Sequence, residues 1–276
     1  MKKLMAAAIA IMLLAPVVTA WNFPWAQKSD NKLSLVGSTT VLPIAQKAAE
    51  EFMKINPKAD VSVSGGGSGV GIAAVIDSSC DIGDSSRPIK SKEIVSAKQK
   101  GVNAVGTVIA KDGVAIIVNN DNKVDGLTLA QLKGIYSGEI KKWSQVGGSN
   151  DPIVIVSRDT ASGTFEVFNE KVLNGAKLSE SSLMLASNKE VQETVAKTPG
   201  AIGYVGLAYL QGVKELPLDG VLGNKASVLD GSYKIGRPLF MYTNGEPSGL
   251  AKDFIDYILS DAGQKLVEDV GYVALK

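Results

Sequence analysis

From Leu33 onward, short apolar runs alternate with amphipathic stretches, and this alternation restricts the chain to packed layers of helix and sheet. Residues 33–36 predict a short strand. Residues 43–55 carry Ile44, Ala48, Phe52 and Ile55 at helical spacing. Residues 60–64 alternate as a strand, 69–76 predict a helix, 81–83 a short strand and 91–100 an exposed helix. The pattern is that of an α/β protein with a largely parallel sheet.

Two longer apolar runs break this rhythm. Residues 104–118 form one, interrupted by Lys111-Asp112-Gly113, and residues 236–243 form the other. Between them, Thr128 predicts the cap of a helix running to residue 136, with Leu129, Leu132 and Ile135 turned inward. Strands are expected at 153–157 and 201–205, and helices at 162–173 and 189–197. Helices at 250–259 and 262–270 close the chain. Each long run is long enough to pass from one lobe to another. The expected architecture is two mixed sheets flanked by helices and joined by a two-strand hinge, with a cleft between the lobes. Residues 33–112 and 235–276 form lobe I, and 113–234 form lobe II. No internal repeat is evident.

The first residues do not belong to this pattern. Lys2 and Lys3 precede an uncharged segment from Leu4 to Ala20, and Val18-Thr19-Ala20 places small residues before Trp21. This is the composition of a secretory signal peptide at 1–20, followed by a leader at 21–32. The apolar segment is shorter than the roughly 20 residues that a membrane span needs. No Cys lies near the cleavage point, so the exported chain is not a lipoprotein. Its location is periplasmic or extracellular, and it is expected to be a monomer.

Composition excludes most catalytic chemistry. Among 276 residues there is no His and one Cys. A His-based triad, a His zinc site, an internal disulfide and a CxxC pair are all ruled out. A formal net charge of +1 argues against nucleic acid as a partner. Neither a metal nor a cofactor is expected. Cys80 reads as a small buried residue. Chemistry is left to hydroxyls, carboxylates, Lys, Arg and the backbone.

Those groups recur in one local arrangement. Gly37-Ser38-Thr39-Thr40, Ser64-Gly65-Gly66-Gly67-Ser68-Gly69 and Arg158-Asp159-Thr160-Ala161-Ser162-Gly163-Thr164 each follow a strand and precede a helix. A fourth turn, Asp84-Ser85-Ser86-Arg87-Pro88, also follows a strand. A helix start offers unpaired N–H groups and about half a positive charge. Glycine allows close approach, and hydroxyls donate short hydrogen bonds. Arg158 adds a planar, permanently charged fork suited to an oxyanion. In open α/β sheets such turns lie where ligands bind. Burying an ion costs several kcal/mol, while each hydrogen bond to a charged group returns about 1.5–3 kcal/mol. Micromolar affinity needs about −8 kcal/mol, so several turns must act together. Taken singly, each turn reads as an ordinary helix cap.

Other motifs fit less well. Gly69-Val70-Gly71-Ile72-Ala73-Ala74 matches GxGxxA, but no acidic residue ends a second strand at the distance a dinucleotide requires. Gly66-Gly67-Ser68-Gly69-Val70 fails the last position of a nucleophile elbow. The pairs Asp77 with Asp81 and Asp219 with Asp230 read as solvated.

From about Leu33 to Leu275 the chain resembles the periplasmic phosphate-binding proteins of phosphate ABC importers. The resemblance lies in Gly37-Ser-Thr-Thr-Val-Leu-Pro43, Ser64-Gly-Gly-Gly-Ser-Gly69, Asp81-Ile-Gly-Asp-Ser-Ser-Arg-Pro88 and Arg158-(x)3-Ser162-Gly-Thr164. Lys111-Asp-Gly-Val-Ala-Ile-Ile-Val118 and Pro199-Gly-Ala-Ile-Gly-Tyr204 support it. It implies a two-lobed binding protein of type II, with inorganic phosphate in the cleft. Delivery would be to a membrane permease driven by an ATPase. Phosphate ligands would be Ser38, Thr39, Thr40, Ser68, Gly69, Ser86, Arg87, Arg158, Ser162, Gly163 and Thr164. One branch of the family has an Asp accepting the phosphate proton where Ser86 stands, so Asp84 becomes the candidate acceptor. The family's carboxylate brace for the arginine falls at Thr160, leaving Asp159 as its substitute. The alternatives are a receptor of the same fold for sulfate, molybdate or tungstate, an exported phosphoester hydrolase using Ser162 or Ser68, and a sensor using the same cleft. The hydrolase has no evident base to activate either serine.

Overall fold

The structure, a computed structural model, describes residues 31–276. The expected signal peptide, and the leader through residue 30, lie outside the described residues. The chain begins with β1 (Lys32–Gly37), α1 (Leu42–Ile55), β2 (Asp60–Ser64), α2 (Ser68–Ile76), β3 (Ile82–Ser85) and α3 (Ser91–Gln99). Next come β4 (Ala104–Val118), α4 (Leu129–Ser137), β5 (Val154–Arg158), α5 (Gly163–Phe168), β6 (Leu183–Leu185), α6 (Asn188–Lys197) and β7 (Ala201–Gly206). The chain closes with β8 (Lys214–Leu216), α7 (Lys225–Leu229), β9 (Gly236–Asn244), α8 (Gly249–Leu259) and α9 (Asp261–Asp269).

The long run at 104–118 is one 15-residue strand. Its first part pairs antiparallel with β9, from Ala104 opposite Asn244 to Gly113 opposite Gly236. Its second part pairs with β7 and β8. The hydrogen-bonded order is β2-β1-β3-β9-β4-β7-β5-β6, with β8 on β4. β4 is therefore common to both expected sheets. The pairs β1–β2, β1–β3, β5–β6 and β5–β7 are parallel, while every pairing of β4 and β9 is antiparallel. The sheet is thus more mixed than a largely parallel one, because a chain that leaves and returns through adjacent strands runs in opposite senses there.

Two main cores lie on either side of this crossing. In the first, Leu35, Ile44, Phe52, Ile82, Leu239, Phe254 and Val267 pack together, with Phe52 edge-on to Phe254 at 5.3 Å. In the second, Ile116, Leu132, Tyr136, Trp143, Phe168, Tyr204 and Ile235 do so. Phe168 stacks flat on Tyr204 at 4.0 Å. Thr128 caps α4 as expected, in a reciprocal box with Gln131. The helix expected over 162–173 is divided: α5 ends at Phe168, and a π-helical turn at Asn169–Leu173 ends on left-handed Asn174. The strands β6 and β8 have three residues each, too few to show a period.

Cys80 is buried beside Ile72 and Val75. Of the acidic residues expected to be solvated, Asp77, Asp219 and Asp230 are exposed and Asp81 is half-buried, and each also fastens its surroundings. Asp81 accepts from the Ser34 amide and hydroxyl, Asp77 pairs with Lys100, and Asp219 accepts from the Leu129 amide and pairs with Lys234. Asp230 accepts from the Ser232 amide. The reason is that short acidic side chains at turns and helix ends reach nearby N–H groups.

Asp84 is a different case. It sits on β3 between Gly37 and Met241, two residues from Ile82 and so on the face that packs in the first core. Both carboxyl oxygens are buried without a hydrogen-bond partner. Burial pushes the carboxyl well above its ordinary range. With neither oxygen hydrogen-bonded to the hydroxyls of the neighbouring turns, Asp84 is not engaged as the acceptor expected at this position. Because its folded value is raised, Asp84 favours the folded state at acid pH, and that contribution is lost as pH rises above about 4. Asp84→Asn should therefore melt higher than the wild type at pH 8 in phosphate-free buffer. The gap should close as pH falls toward 4, as melting curves across this range would show.

Candidate anion-binding site

The hydroxyl-bearing turns converge where β4 and β9 cross between the two cores. Thr40 precedes α1, Ser68 opens α2, Ser86 follows β3 and Thr164 lies in the first turn of α5. The Thr40 and Thr164 hydroxyls are 3.0 Å apart, and those of Ser68 and Ser86 are 3.2 Å apart. Ser68 Oγ also accepts from the Ser86 amide at 2.9 Å. All four side chains are buried. Residues from four separated turns thus occupy one place.

Close approach depends on two glycines. Gly67 has φ +96°, a conformation that favours glycine, and a side chain there would stand 2.6 Å from the Ala161 carbonyl oxygen. A side chain at Gly163 would collide with Ser68 Oγ and approach Ser86 Oγ to 2.8 Å. The starts of α2 and α5 can therefore face each other only as they stand.

Several expected ligands have structural partners. Ser38 Oγ accepts from the Thr40 and Val41 amides in the turn that leads into α1. Ser162 Oγ accepts from the Phe165 amide and caps α5. Thr39 Oγ1 accepts from Asn188 Nδ2 at 3.2 Å. Two expectations are overturned. The Gly69 amide donates to the Ala161 carbonyl at 3.0 Å, so it joins the facing turns and is not free for an anion. The Arg87 guanidinium is held by Glu93 at 2.7 and 2.8 Å, and its Nε lies 2.6 Å from Glu166 of α5. Nη1 also donates to the Pro88 carbonyl at 2.9 Å, so the group is turned to these partners, and Lys90 also pairs with Glu166 at 2.7 Å.

Arg158 is buried at the end of β5. Its Nε donates to the Leu185 carbonyl and its Nη2 to the Ala186 carbonyl, while Nη1 is buried without a hydrogen-bond partner. Burial lowers its pKa, partly opposed by Tyr204 and Asp159, and Arg237 lowers it further. The brace is therefore the backbone at the end of β6. Asp159, expected to take that role, accepts instead from the Ala161 amide within its own turn.

Sequence reasoning missed Arg237, Asp112 and Asn188. In the β4–β9 register Asp112 lies opposite Arg237. Asp112 Oδ2 accepts from Nε at 2.9 Å and from Nη2 at 2.7 Å. Arg237 Nη1 reaches Thr164 Oγ1 at 3.0 Å and Ser86 Oγ at 3.3 Å, and Nη2 reaches Thr40 Oγ1 at 3.2 Å. Burial lifts the Asp112 carboxyl above its ordinary range, against the opposing pull of Arg237 and the Leu207 amide. Asn188 Nδ2 donates to Thr40 Oγ1 at 3.0 Å, and its Oδ1 accepts from the Gly206 amide. A charged residue within each long apolar run was the available signal for the first two; Asn188, at a helix start, offered none. The assembled site offers a small oxyanion many neutral donors and the unpartnered Nη1 of Arg158.

A family model described as a PBP superfamily domain matches residues 24–262. The phosphate-binding protein PstS of Bacillus subtilis (strain 168) is 38% identical over 250 residues, covering 90% of this chain and 82% of that protein. PstS of Borreliella burgdorferi is 31% identical over 263 residues, covering 91% and 92%. Among solved structures, a phosphate ABC transporter substrate-binding protein from Clostridium perfringens, with bound phosphate, aligns with a TM-score of 0.83. It shares 35% identity, covering 89% of this chain and 100% of that one. An ABC-type phosphate transport receptor from Vibrio cholerae aligns at 0.71 with 28% identity, covering 87% and 99%. On fold, site and sequence together, the chain belongs to the PBP superfamily and within it to the family of PstS phosphate-binding proteins.

Proposed function

We propose that this chain captures inorganic phosphate between its two halves and delivers it to the permease of an ABC importer whose ATPase drives uptake. The observation that carries this reading is the convergence of the Thr40, Ser68, Ser86 and Thr164 hydroxyls with the buried guanidinium groups of Arg158 and Arg237. Many fixed donors offset the loss of water around a small dense anion. Thr39, Ser38, Ser162 and Gly163 complete the pocket, the glycine through its backbone. The relatives, named for phosphate binding and transport, support the same ligand.

The reading assigns residues 33–112 and 235–276 to lobe I and residues 113–234 to lobe II, which move about β4 and β9. Export follows from the signal-peptide pattern at 1–20. The protein binds and does not turn over its ligand. Ser162 and Ser68, the serines a hydrolase would use, are engaged as a helix cap and as a bracket for the Ser86 amide. A second reading is a receptor for a fully deprotonated oxyanion such as sulfate. It is favoured by Ser86 in place of an acidic proton acceptor, and by the burial of Asp84 away from hydrogen-bond partners.

Titration calorimetry of the exported chain with phosphate and with sulfate separates the two. Phosphate heat with little sulfate heat is expected, and clear binding of sulfate alone would end the phosphate reading. Arg158→Ala should weaken phosphate binding by about 2–4 kcal/mol, roughly 30- to 1,000-fold. An unchanged affinity would remove Arg158 from the site. Gly163→Ala should cost about 1–3 kcal/mol of binding, roughly 5- to 150-fold, because the added methyl group forces α5 away from Ser68. The same titration would detect it.

A further inference from the structure

The hydrogen bonds around Arg237 determine which way the pocket's hydroxyl protons point. A hydroxyl oxygen has two lone pairs and one proton, whereas guanidinium and amide N–H groups only donate. Thr40 Oγ1 receives Arg237 Nη2 at 3.2 Å and Asn188 Nδ2 at 3.0 Å. Asn188 is oriented by the Gly206 amide, which donates to its Oδ1. Both lone pairs of Thr40 are then filled, so its proton goes to the neighbour at 3.0 Å, Thr164 Oγ1. Thr164 Oγ1 also receives Arg237 Nη1 at 3.0 Å. Its lone pairs are filled in turn, and its proton must be donated elsewhere. The other hydroxyl that Arg237 reaches is Ser86, at 3.3 Å.

We propose that Arg237 is a positioning residue of the phosphate pocket: through Thr40 and Thr164 it sets the hydroxyl protons so that Thr164 presents only a donor to the anion. Asp112 holds Arg237 in this role. It takes Nε and Nη2 on one oxygen, and its other oxygen is anchored by the Leu207 amide at 3.0 Å. A donor-only hydroxyl matches an unprotonated phosphate oxygen and cannot accept the proton of a P–OH. Freed of Arg237, Thr164 can rotate and accept, so the variant pocket discriminates less between the phosphate dianion and monoanion. This inference rests on the phosphate reading above.

The test removes the guanidinium without leaving a buried charge. Asp112→Asn/Arg237→Gln keeps the net charge and leaves polar amides in place of the ions, and its melting temperature reports whether the fold is intact. Phosphate affinity is measured by calorimetry at pH 6 and pH 8, on either side of the anion's second ionisation. The double variant should bind at least about tenfold more weakly at pH 8 and lose distinctly less at pH 6. Adding Thr164→Val to it should cost far less than Thr164→Val costs in the wild type, because both changes break one chain of hydrogen bonds. Wild-type affinity in the double variant, equal losses at the two pH values, or additive losses would overturn the proposal. If the double variant does not fold, Arg237→Lys takes its place with the same readouts, since one ammonium cannot serve Asp112, Thr40 and Thr164 in the guanidinium's planar geometry. A wild-type protein that binds no phosphate would defeat the phosphate reading instead.

Discussion

The ion pair between Asp112 and Arg237 is the interaction on which the centre of the molecule depends. It is fully enclosed, with neither side chain more than slightly exposed, and it links the two strands that pass between the cores. Taking two charges out of water costs several kcal/mol per ion, and the pair persists because its remaining valences are met. The Leu207 amide fills one carboxyl oxygen, while Thr40, Thr164 and Ser86 receive the outer edge of the guanidinium. Removing one partner would strand the other, a loss of about 3–5 kcal/mol in buried pairs generally. A single register contact in a β-ladder thereby connects the backbone crossing to the converging hydroxyls of Thr40, Thr164 and Ser86.

Around this pair, polar groups link the elements of the two cores. Gly69 donates to Ala161, Asn188 to Thr39 and Thr40, and Tyr209 to the Thr39 carbonyl at 2.7 Å. Glu166 of α5 receives both Arg87 and Lys90. Apolar side chains cross as well: Ile235 and Val273 pack in the second core, and Ala208 packs against the first. Interfaces of this kind resemble transient ones more than a domain interior.

Local features were legible in the sequence. The Thr128 cap, the helical face of Ile44, Ala48 and Phe52, and the two long apolar runs depend on neighbours within a few residues. The hydroxyl turns were legible for the same reason, since glycine and Ser or Thr before a helix act on the adjacent backbone. Misreadings occurred where the partner is distant in sequence. Arg87 looks like a ligand until Glu93 and Glu166 are seen around it. Gly69 looks free until Ala161 arrives from the facing turn. Asp84 looks like a proton acceptor until its enclosure on the core face of β3 is known. Arg237 was hidden because a single charge in an apolar run does not reveal that Asp112, 125 residues away, lies opposite it.

By itself, then, the sequence determined that the chain is built from alternating strands and helices, that its turns are suited to an anion, and that histidine and disulfide chemistry are absent. Periodicity, helix capping and composition act over short distances and can be read from neighbouring residues. Only the tertiary structure decided which donors share the pocket and which are consumed elsewhere. Electrostatic partners, burial and strand register are relations between distant parts of the chain, and they exist only once β4 and β9 have brought those parts together.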